Sequence, residues 1–313
     1  MGHRTYYITN KDDSLLVNAW KCLRHRRVPS FPKTIQIETF SGCNAACIFC
    51  DWKINKEKVP RGKMSDELFR KIIDECALHS VQRISPFLTN EPLLDKTLED
   101  KLIYTREKMP RIRLVLNTNG SLLSEKRVRS LVDSQTLDTI YISFQGITKD
   151  AYEKSMVGLD FDHTLSNVNF LIDYLREKNL KRPKVRITMV KTKLIEDQIP
   201  AALSYWEDRG VDATYTVFQN RAGTVDEARD LATARLKKYV NCERPFRETG
   251  ITFDGQMLLC CIDYARQTVL GDVRERSIAE IWNDESVVDL RRLFLEGNLN
   301  EIQSCRRCLV DAD

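Results

Sequence analysis

The chain has 313 residues, 42% of them apolar and 30% charged, the make-up of a folded globular protein, which excludes a wholly disordered chain. Its net charge is only +4, with cations and anions interleaved, so bulk charge gives no case for a nucleic-acid binder. No apolar run approaches the ~18 residues of a membrane span, and the start carries no apolar signal region. These readings predict a cytoplasmic protein without membrane attachment. In that compartment thiols stay reduced, and ten cysteines point to metal rather than to disulfides.

In chain order, an N-terminal extension over 1–32 carries the basic cluster Arg24 to Arg27, read as a solvated arm. From residue 33 short runs rich in Ile, Val and Thr alternate with amphipathic helical patterns. The predicted strands are Thr34–Phe40, Arg83–Leu88, Arg113–Asn117, Thr139–Phe144, Val185–Val190 and Ala213–Phe218. Helices are predicted from Met64 to Cys76, after a capping Ser124, from Phe161 to Lys178 and from Glu196 to Arg209. Six β/α units imply a parallel sheet with right-handed crossovers. They are too few for an eight-fold barrel, so an open, partial (β/α)6 TIM-type barrel over 33–240 is expected, with ligands at the carboxyl ends of its strands. After residue 240 the pattern changes. Gly250–Phe253 and Met257–Cys261 flank Asp254 and Gly255, a hairpin signal. Ser277 and Glu280 form a capping box, and a further helix runs from Val287 to Glu296. This tail, 241–313, carries five cysteines and reads as a small α+β domain too thin to hold itself by apolar burial, with a metal as its staple.

Cys43, Cys47 and Cys50 stand in a C-x3-C-x2-C spacing just after the first strand, at the expected barrel mouth. Three thiolates on one loop can hold three irons of a [4Fe–4S] cube and leave the fourth open. A zinc site would want a fourth ligand, and no histidine lies near. In the tail, Cys242, Cys260, Cys305 and Cys308 are 18, 45 and 3 residues apart. That spacing alone admits a second [4Fe–4S] cluster or tetrahedral zinc equally. Cys261 is left over beside Cys260, as a packing thiol or a hydrogen-atom donor. Cys76 sits on an apolar helix face and reads as core.

The triad, its place after the first strand and Phe49 just before Cys50 resemble the radical S-adenosylmethionine (SAM) superfamily. Glu91, in the segment Thr89 to Pro92, stands where that family holds the SAM amino group, although both family glycines are replaced, by Thr89 and Asn90. Asn117 to Gly120 resembles the segment ending the third strand, and Ser143 with Gln145 ends the fourth, where ribose contacts occur. The resemblance spans roughly 33–220 and implies SAM contacts from Phe49, Asn90, Glu91, Asn117, Asn119, Ser143 and Gln145. For Glu91 a surface-loop carboxylate is the alternative.

The tail resembles SPASM and twitch auxiliary-cluster domains, and its four-cysteine set fits one cluster, as in twitch. The resemblance therefore implies two [4Fe–4S] clusters and SAM as cofactors. It also implies an electron donor such as flavodoxin or ferredoxin, a 5′-deoxyadenosyl radical and hydrogen abstraction from a small polar substrate. The spacing resembles aminocyclitol dehydrogenases, so oxidation of a carbinol of a sugar, aminocyclitol or aminoglycoside to a ketone is expected. Epimerisation with Cys261 as donor, modification of a ribosomal peptide and a non-catalytic metal scaffold are the alternatives. Arg221, just after the sixth strand, is expected at the barrel mouth as a ligand for a substrate oxygen or the SAM carboxylate. Asp263 is expected as a proton acceptor or, alternatively, a solvated carboxylate.

Overall fold

The computed structural model describes residues 28–239 and 242–311. The basic cluster at Arg24 to Arg27 and Cys22 lie outside the described residues.

Nine strands form one sheet in the order β10-β9-β8-β1-β2-β3-β4-β5-β6. The six expected strands appear as β1 (Thr34–Ile37), β2 (Arg83–Ser85), β3 (Arg113–Thr118), β4 (Thr139–Ser143), β5 (Lys184–Lys191) and β6 (Asp212–Val217), each parallel to the next. The sheet stays open at β6, whose side chains are half-buried or exposed, so the expected partial barrel is what forms. Strand residues alternate. Leu114, Leu116, Ile140 and Ile142 are at most 1% exposed on the helix side. Gln36, Ser85 and Asn117 take the other side, where the Asn117 amide donates to the Ser85 hydroxyl at 3.0 Å. The lumen is thus polar.

Helices cover the outer face because their apolar residues recur three and four apart. α1 (Trp52–Asn55) is a single turn after the cysteine loop. α2 (Asp66–Ala77) starts where the Ser65 hydroxyl accepts from the Leu68 N–H and buries Leu68, Phe69, Ile72, Ile73 and Cys76. α3 (Leu98–Lys108), which the sequence reading did not single out, fills the β2–β3 crossover. α4 (Glu125–Asp133) is capped by Ser124 as expected. α5 (Lys149–Ser155) and α6 (Phe161–Glu177) follow β4. α7 (Ile199–Asp208) has its proline at the first turn, where no N–H is missed.

The tail corrects one expectation. β8 (Glu248–Ile251) runs parallel to β1 and pairs with it from Thr34↔Glu248 to Ile37↔Ile251. β9 (Gln256–Leu258) and β10 (Val269–Asp272) extend the same sheet in antiparallel fashion. Ile251, Met257, Leu259, Ile278, Ile281 and Trp282 belong to the same buried cluster as Ile35 and Ile37. The tail is therefore not held by a metal alone, because it adds its apolar face to the barrel's core. The predicted capping box is present at Ser277 and Glu280 and opens α9 (Ile278–Trp282); α8 is the short turn Arg244–Arg247 before it, and α10 (Glu285–Leu295) and α11 (Gln303–Arg306) follow. A separate antiparallel pair, β7 (Leu236–Lys238) with β11 (Leu309–Asp311), closes the chain back onto the end of β6.

Candidate active site

The cysteine loop leaves β1 at its carboxyl end and is pinned from three sides. The Glu91 N–H donates to the Gly42 carbonyl at 2.8 Å, the Ala46 N–H to the Val157 carbonyl at 2.7 Å, and the Ile48 N–H to the Ser155 carbonyl at 3.1 Å. Side chains add a triangle. The Asn119 amide donates to Asn44 Oδ1 at 2.9 Å, the Asn44 amide to Ser121 Oγ at 2.8 Å, and Ser121 Oγ to Asn119 Oδ1 at 2.7 Å. Asn119 thus joins the end of β3 to the residue after Cys43. The three thiols stay half-buried. Burial pushes Cys43 up to about 12, Cys50 to about 11, and Cys47 well above its ordinary value, and the neighbouring thiols raise Cys43 and Cys47 further.

Glu91 is only 2% exposed, so the surface-loop alternative fails. Its Oε1 accepts from the Leu93 N–H at 3.1 Å and the Thr118 hydroxyl at 2.7 Å, and its Oε2 from the Asn119 N–H at 2.7 Å. Burial nevertheless lifts it to about 7. Beside it Asn90 Oδ1 accepts from the Leu88 N–H at 3.0 Å, while its buried Nδ2 donor has no partner. Such an orphan at the mouth suits a polar ligand that the protein itself does not supply. Phe49 is 7% exposed within the core cluster. Gln145 accepts from the Val190 N–H at 2.9 Å and so secures β5, and half-buried Ser143 ends β4 beside it.

The tail cysteines gather around one cation. Cys242, Cys260 and Cys261 hold the Arg244 guanidinium firmly charged, although burial opposes this, and its Nη1 is buried without a hydrogen-bond partner. Cys308 feels Arg244 and Lys238, and Cys305 lies beside Cys308. A guanidinium ringed by thiols fits an anionic thiolate cluster. Among the described residues, the triad included, no three His, Cys, Asp or Glu side chains close on a single metal ion. The Cys260 thiol donates to Cys261, which holds Cys261 below its ordinary value and Cys260 above it; the Gln36 amide, on the lumen side of β1, also lowers Cys261.

The turn Arg221, Ala222, Gly223 bridges the two sets. Its φ values are 48°, 55° and 82°, left-handed at two non-glycine residues, a strain that persists only where the surroundings enforce it. Asn220 is the enforcer: its amide donates to the Arg307 carbonyl at 2.8 Å and its Oδ1 accepts from the Leu309 N–H at 2.8 Å. Arg221 stands close enough to the triad for its charge to be felt by Cys47, Cys50 and Asp51. The Ala222 N–H meanwhile donates to Cys308.

Asp263 departs from its solvated alternative. It is fully buried, and it accepts from the Gln267 N–H at 2.9 Å and the Thr268 N–H at 2.8 Å, so it holds a turn. The sequence reading missed three groups at the mouth. Asp51, 1% exposed and lifted by burial to about 6, accepts from the Thr224 hydroxyl at 3.3 Å. Glu38, 1% exposed and lifted by burial to about 7, lies 3.7 Å from Arg266. Tyr264 packs edge-on to Trp52 at 5.7 Å and keeps a buried, unpartnered hydroxyl. Asp51 was legible, being the residue after Cys50; Glu38 and Tyr264 meet only through the β1–β8 pairing.

The sequence profile of the radical SAM superfamily matches residues 37–202, and that of an iron–sulfur cluster-binding domain, SPASM, matches 242–309. The S-adenosyl-L-methionine-dependent 2-deoxy-scyllo-inosamine dehydrogenase of Niallia circulans is 25% identical over 275 residues, covering 88% of this chain and 91% of that protein. A cofactor-modifying protein for the tungsten-containing aldehyde ferredoxin oxidoreductase of Pyrococcus furiosus is 26% identical, over 58% of this chain and 50% of its own. Among solved structures, BtrN in complex with AdoMet and 2-DOIA superposes with a TM-score of 0.60 at 22% identity, over 88% of this chain and 92% of that one. Streptococcus suis SuiB bound to the precursor peptide SuiA gives 0.67 at 18%, over 93% and 75%. At these identities the two structures attest the fold.

Proposed function

Because this chain belongs to the radical SAM superfamily, we propose that it is a dehydrogenase oxidising a carbinol of a small polar substrate, of the aminocyclitol, sugar or aminoglycoside class, to a ketone. The observation that carries this is the tail: Cys242, Cys260 and Cys308 lie around Arg244 with Cys305 beside Cys308, on a chain whose match to a 2-deoxy-scyllo-inosamine dehydrogenase covers 88% of this chain and 91% of that protein. Cys43, Cys47 and Cys50 hold the SAM-binding [4Fe–4S] centre, and Cys242, Cys260, Cys305 and Cys308 the auxiliary one. When bound, these cofactors supply an electron that cleaves SAM, a 5′-deoxyadenosyl radical that takes a hydrogen atom, and a sink for the electron left behind.

The chain's own groups do the rest. The Asn44, Asn119 and Ser121 triangle fixes the cysteine loop, and the three donors on Glu91 fix its mouth. Asn90 Nδ2 is free to meet SAM, together with Phe49, Ser143 and the backbone around Asn117. Gln145 shapes that wall by holding β5. Arg221 binds the carbinol oxygen and favours its deprotonation, and Asp51 beside it takes the proton, its burial having raised its affinity for one. Asp263 acts as a positioning residue for the turn after Cys260 and Cys261. The reductant is a flavodoxin or a ferredoxin.

The test is anaerobic turnover with aminocyclitols and amino sugars deuterated at each carbinol carbon. Deuterium in 5′-deoxyadenosine together with a ketone is expected; SAM cleavage that no carbinol stimulates would overturn the reading. A second outcome is distinguishable: Cys261 lies next to Gln36 on the lumen side of β1, but the hydrogen bonds it accepts favour its thiolate, so donation of a hydrogen atom from it requires the thiol to be protonated first. Epimerisation would leave one solvent deuterium at an inverted carbon, and Cys261→Ala would abolish it.

A further inference from the structure

We infer that the strap over residues 53–63, which follows the cysteine loop, is the docking surface for an acidic electron-carrier protein of low potential. This rests on the radical SAM reading for the need of an electron, but the surface itself follows from charge and geometry.

The charge is concentrated there. Lys53, Lys56, Lys58, Arg61 and Lys63 face a single anion, Glu57, so the strap alone accounts for the chain's whole net charge of +4, and the other residues balance at 44 of each sign. All five cations are exposed. Exposed Lys96 adjoins them, next to Asp95, which pairs with Lys63 at 3.5 Å. The acids at hand are few. Glu57 pairs with Arg61 at 3.0 Å, Asp95 is buried and shared with Lys101 at 3.2 Å, and Asp66 and Glu67 begin α2 beyond the strap. Lys53, Lys56 and Lys58 leave the edge net positive around the exposed Glu57, which pairs with Arg61.

The geometry ties that edge to the thiols. Phe40 and Lys63 form an antiparallel bridge. The Ser41 N–H donates to the Gly62 carbonyl at 2.8 Å, the Met64 N–H to the Thr39 carbonyl at 2.9 Å, and Ser41 Oγ to the Pro60 carbonyl at 3.3 Å. The strap is therefore zipped to the backbone that enters Cys43. Its tip is firm as well, because a Cβ on Gly62 would lie 2.4 Å from the Phe253 ring. Between strap and loop opens a cleft of about 400 Å³, lined by Cys43, Trp52, Arg61 and Leu94 among others. Arg61 lies over the Trp52 ring at 5.4 Å. A partner seated on the cations covers this cleft, which Cys43 of the triad lines.

Transient electron-transfer complexes bury little surface and rely on opposite charge for encounter and orientation. An acidic carrier fits. In the complex a flavodoxin hydroquinone gives up one electron and becomes the semiquinone, and the centre held by Cys43, Cys47 and Cys50 gains that electron.

The experiment compares wild type with K53E/K56E/K58E, none of which touches a thiol, and with a control of equal charge change at the opposite end of the barrel, K178E/K181E/K184E. Binding of a flavodoxin to each is measured by calorimetry at low and at physiological ionic strength, and 5′-deoxyadenosine formation is measured with reduced flavodoxin and with dithionite. The expected result is a tenfold or larger loss of flavodoxin affinity and flavodoxin-driven rate in the strap variant alone. Affinity should fall with salt in wild type, and dithionite-driven rates should match throughout. Equal losses in the two variants would reduce the effect to net charge, and unchanged binding in the strap variant would place the carrier elsewhere; either overturns the proposal. Salt-sensitive binding of an RNA oligomer that flavodoxin fails to displace would also overturn it.

Discussion

The two cysteine sets are built in opposite ways. Cys43, Cys47 and Cys50 come from eight consecutive residues, and their loop is held by backbone hydrogen bonds to Gly42, Ala46 and Ile48. Cys242, Cys260, Cys305 and Cys308 come from 67 residues, brought together by the β1–β8 pairing and by Asn220 gripping the stretch after Cys305. The first set is a local motif that needs the fold only to aim it. The second is a product of the fold. A local set keeps its neighbours when the molecule is disturbed, whereas an assembled set feels every element that brings it together. The turn at Arg221 to Gly223 is where the two dependences meet.

The sharpest break of this comparison is Cys47→Ala. SAM cleavage should fall to the uncatalysed background, while iron bound by the tail, about four of a wild-type total near eight, remains by elemental analysis. Next, Cys308→Ala should lose the tail's iron but keep SAM cleavage within about tenfold of wild type. Ketone formation should fall by more than 5′-deoxyadenosine does. A wild-type ketone yield in Cys308→Ala would show that the tail centre takes no part in oxidation.

How much of this was readable in the chain follows the same division. The triad, the six parallel strands and the Ser277 capping box were legible because each is a short-range pattern. Pairing of β8 with β1 was not, since a hairpin signal at Asp254 and Gly255 says nothing about which strand lies beside it. That pairing is also why the tail shares the barrel's core, against the expectation of a domain stapled by metal. Asp263 looked like a proton acceptor because sequence shows a carboxylate but not the Gln267 and Thr268 amides that occupy it. Arg244 was passed over because a guanidinium beside cysteines looks ordinary until the other thiols surround it. Glu38 and Tyr264 were invisible for the same reason.

Gly223→Ala probes the joint between the sets. The backbone there has φ of 82°, and an added Cβ would stand 2.4 Å from the Arg307 Cβ. Left-handed strain and the clash together should cost about 2–4 kcal/mol. The loss should be read first in the tail, as faster release of its iron, because Arg307 lies between Cys305 and Cys308. The triad loop has its own anchors and should keep its iron. Equal loss from both sets would show that the joint supports them alike and would erase the distinction between local and assembled sites.

The smallest expected effect tests the seam itself. Glu38 follows β1 on the approach to the triad, yet its partners, the Phe253 N–H at 3.3 Å and Arg266 at 3.7 Å, come from the tail. Burial lifts it to about 7 from an ordinary 4.5, against the pull of these partners. A carboxyl whose folded value is raised binds its proton more tightly folded than unfolded. The folded state therefore holds more protons between pH 4.5 and 7, and its stability falls as pH rises through that window. The full shift corresponds to at most about 3 kcal/mol. Glu38→Gln keeps the shape and removes the titration. The stability of wild type minus that of the variant, from denaturant midpoints, should fall between pH 4.5 and 7 and level off above pH 8. Asp51 and Glu91 titrate in both proteins and cancel in that difference. If the ion pair with Arg266 outweighed burial, the difference would rise with pH instead. The sign therefore reports whether the seam is closed by apolar packing, as the shared core implies, or by the charge that crosses it.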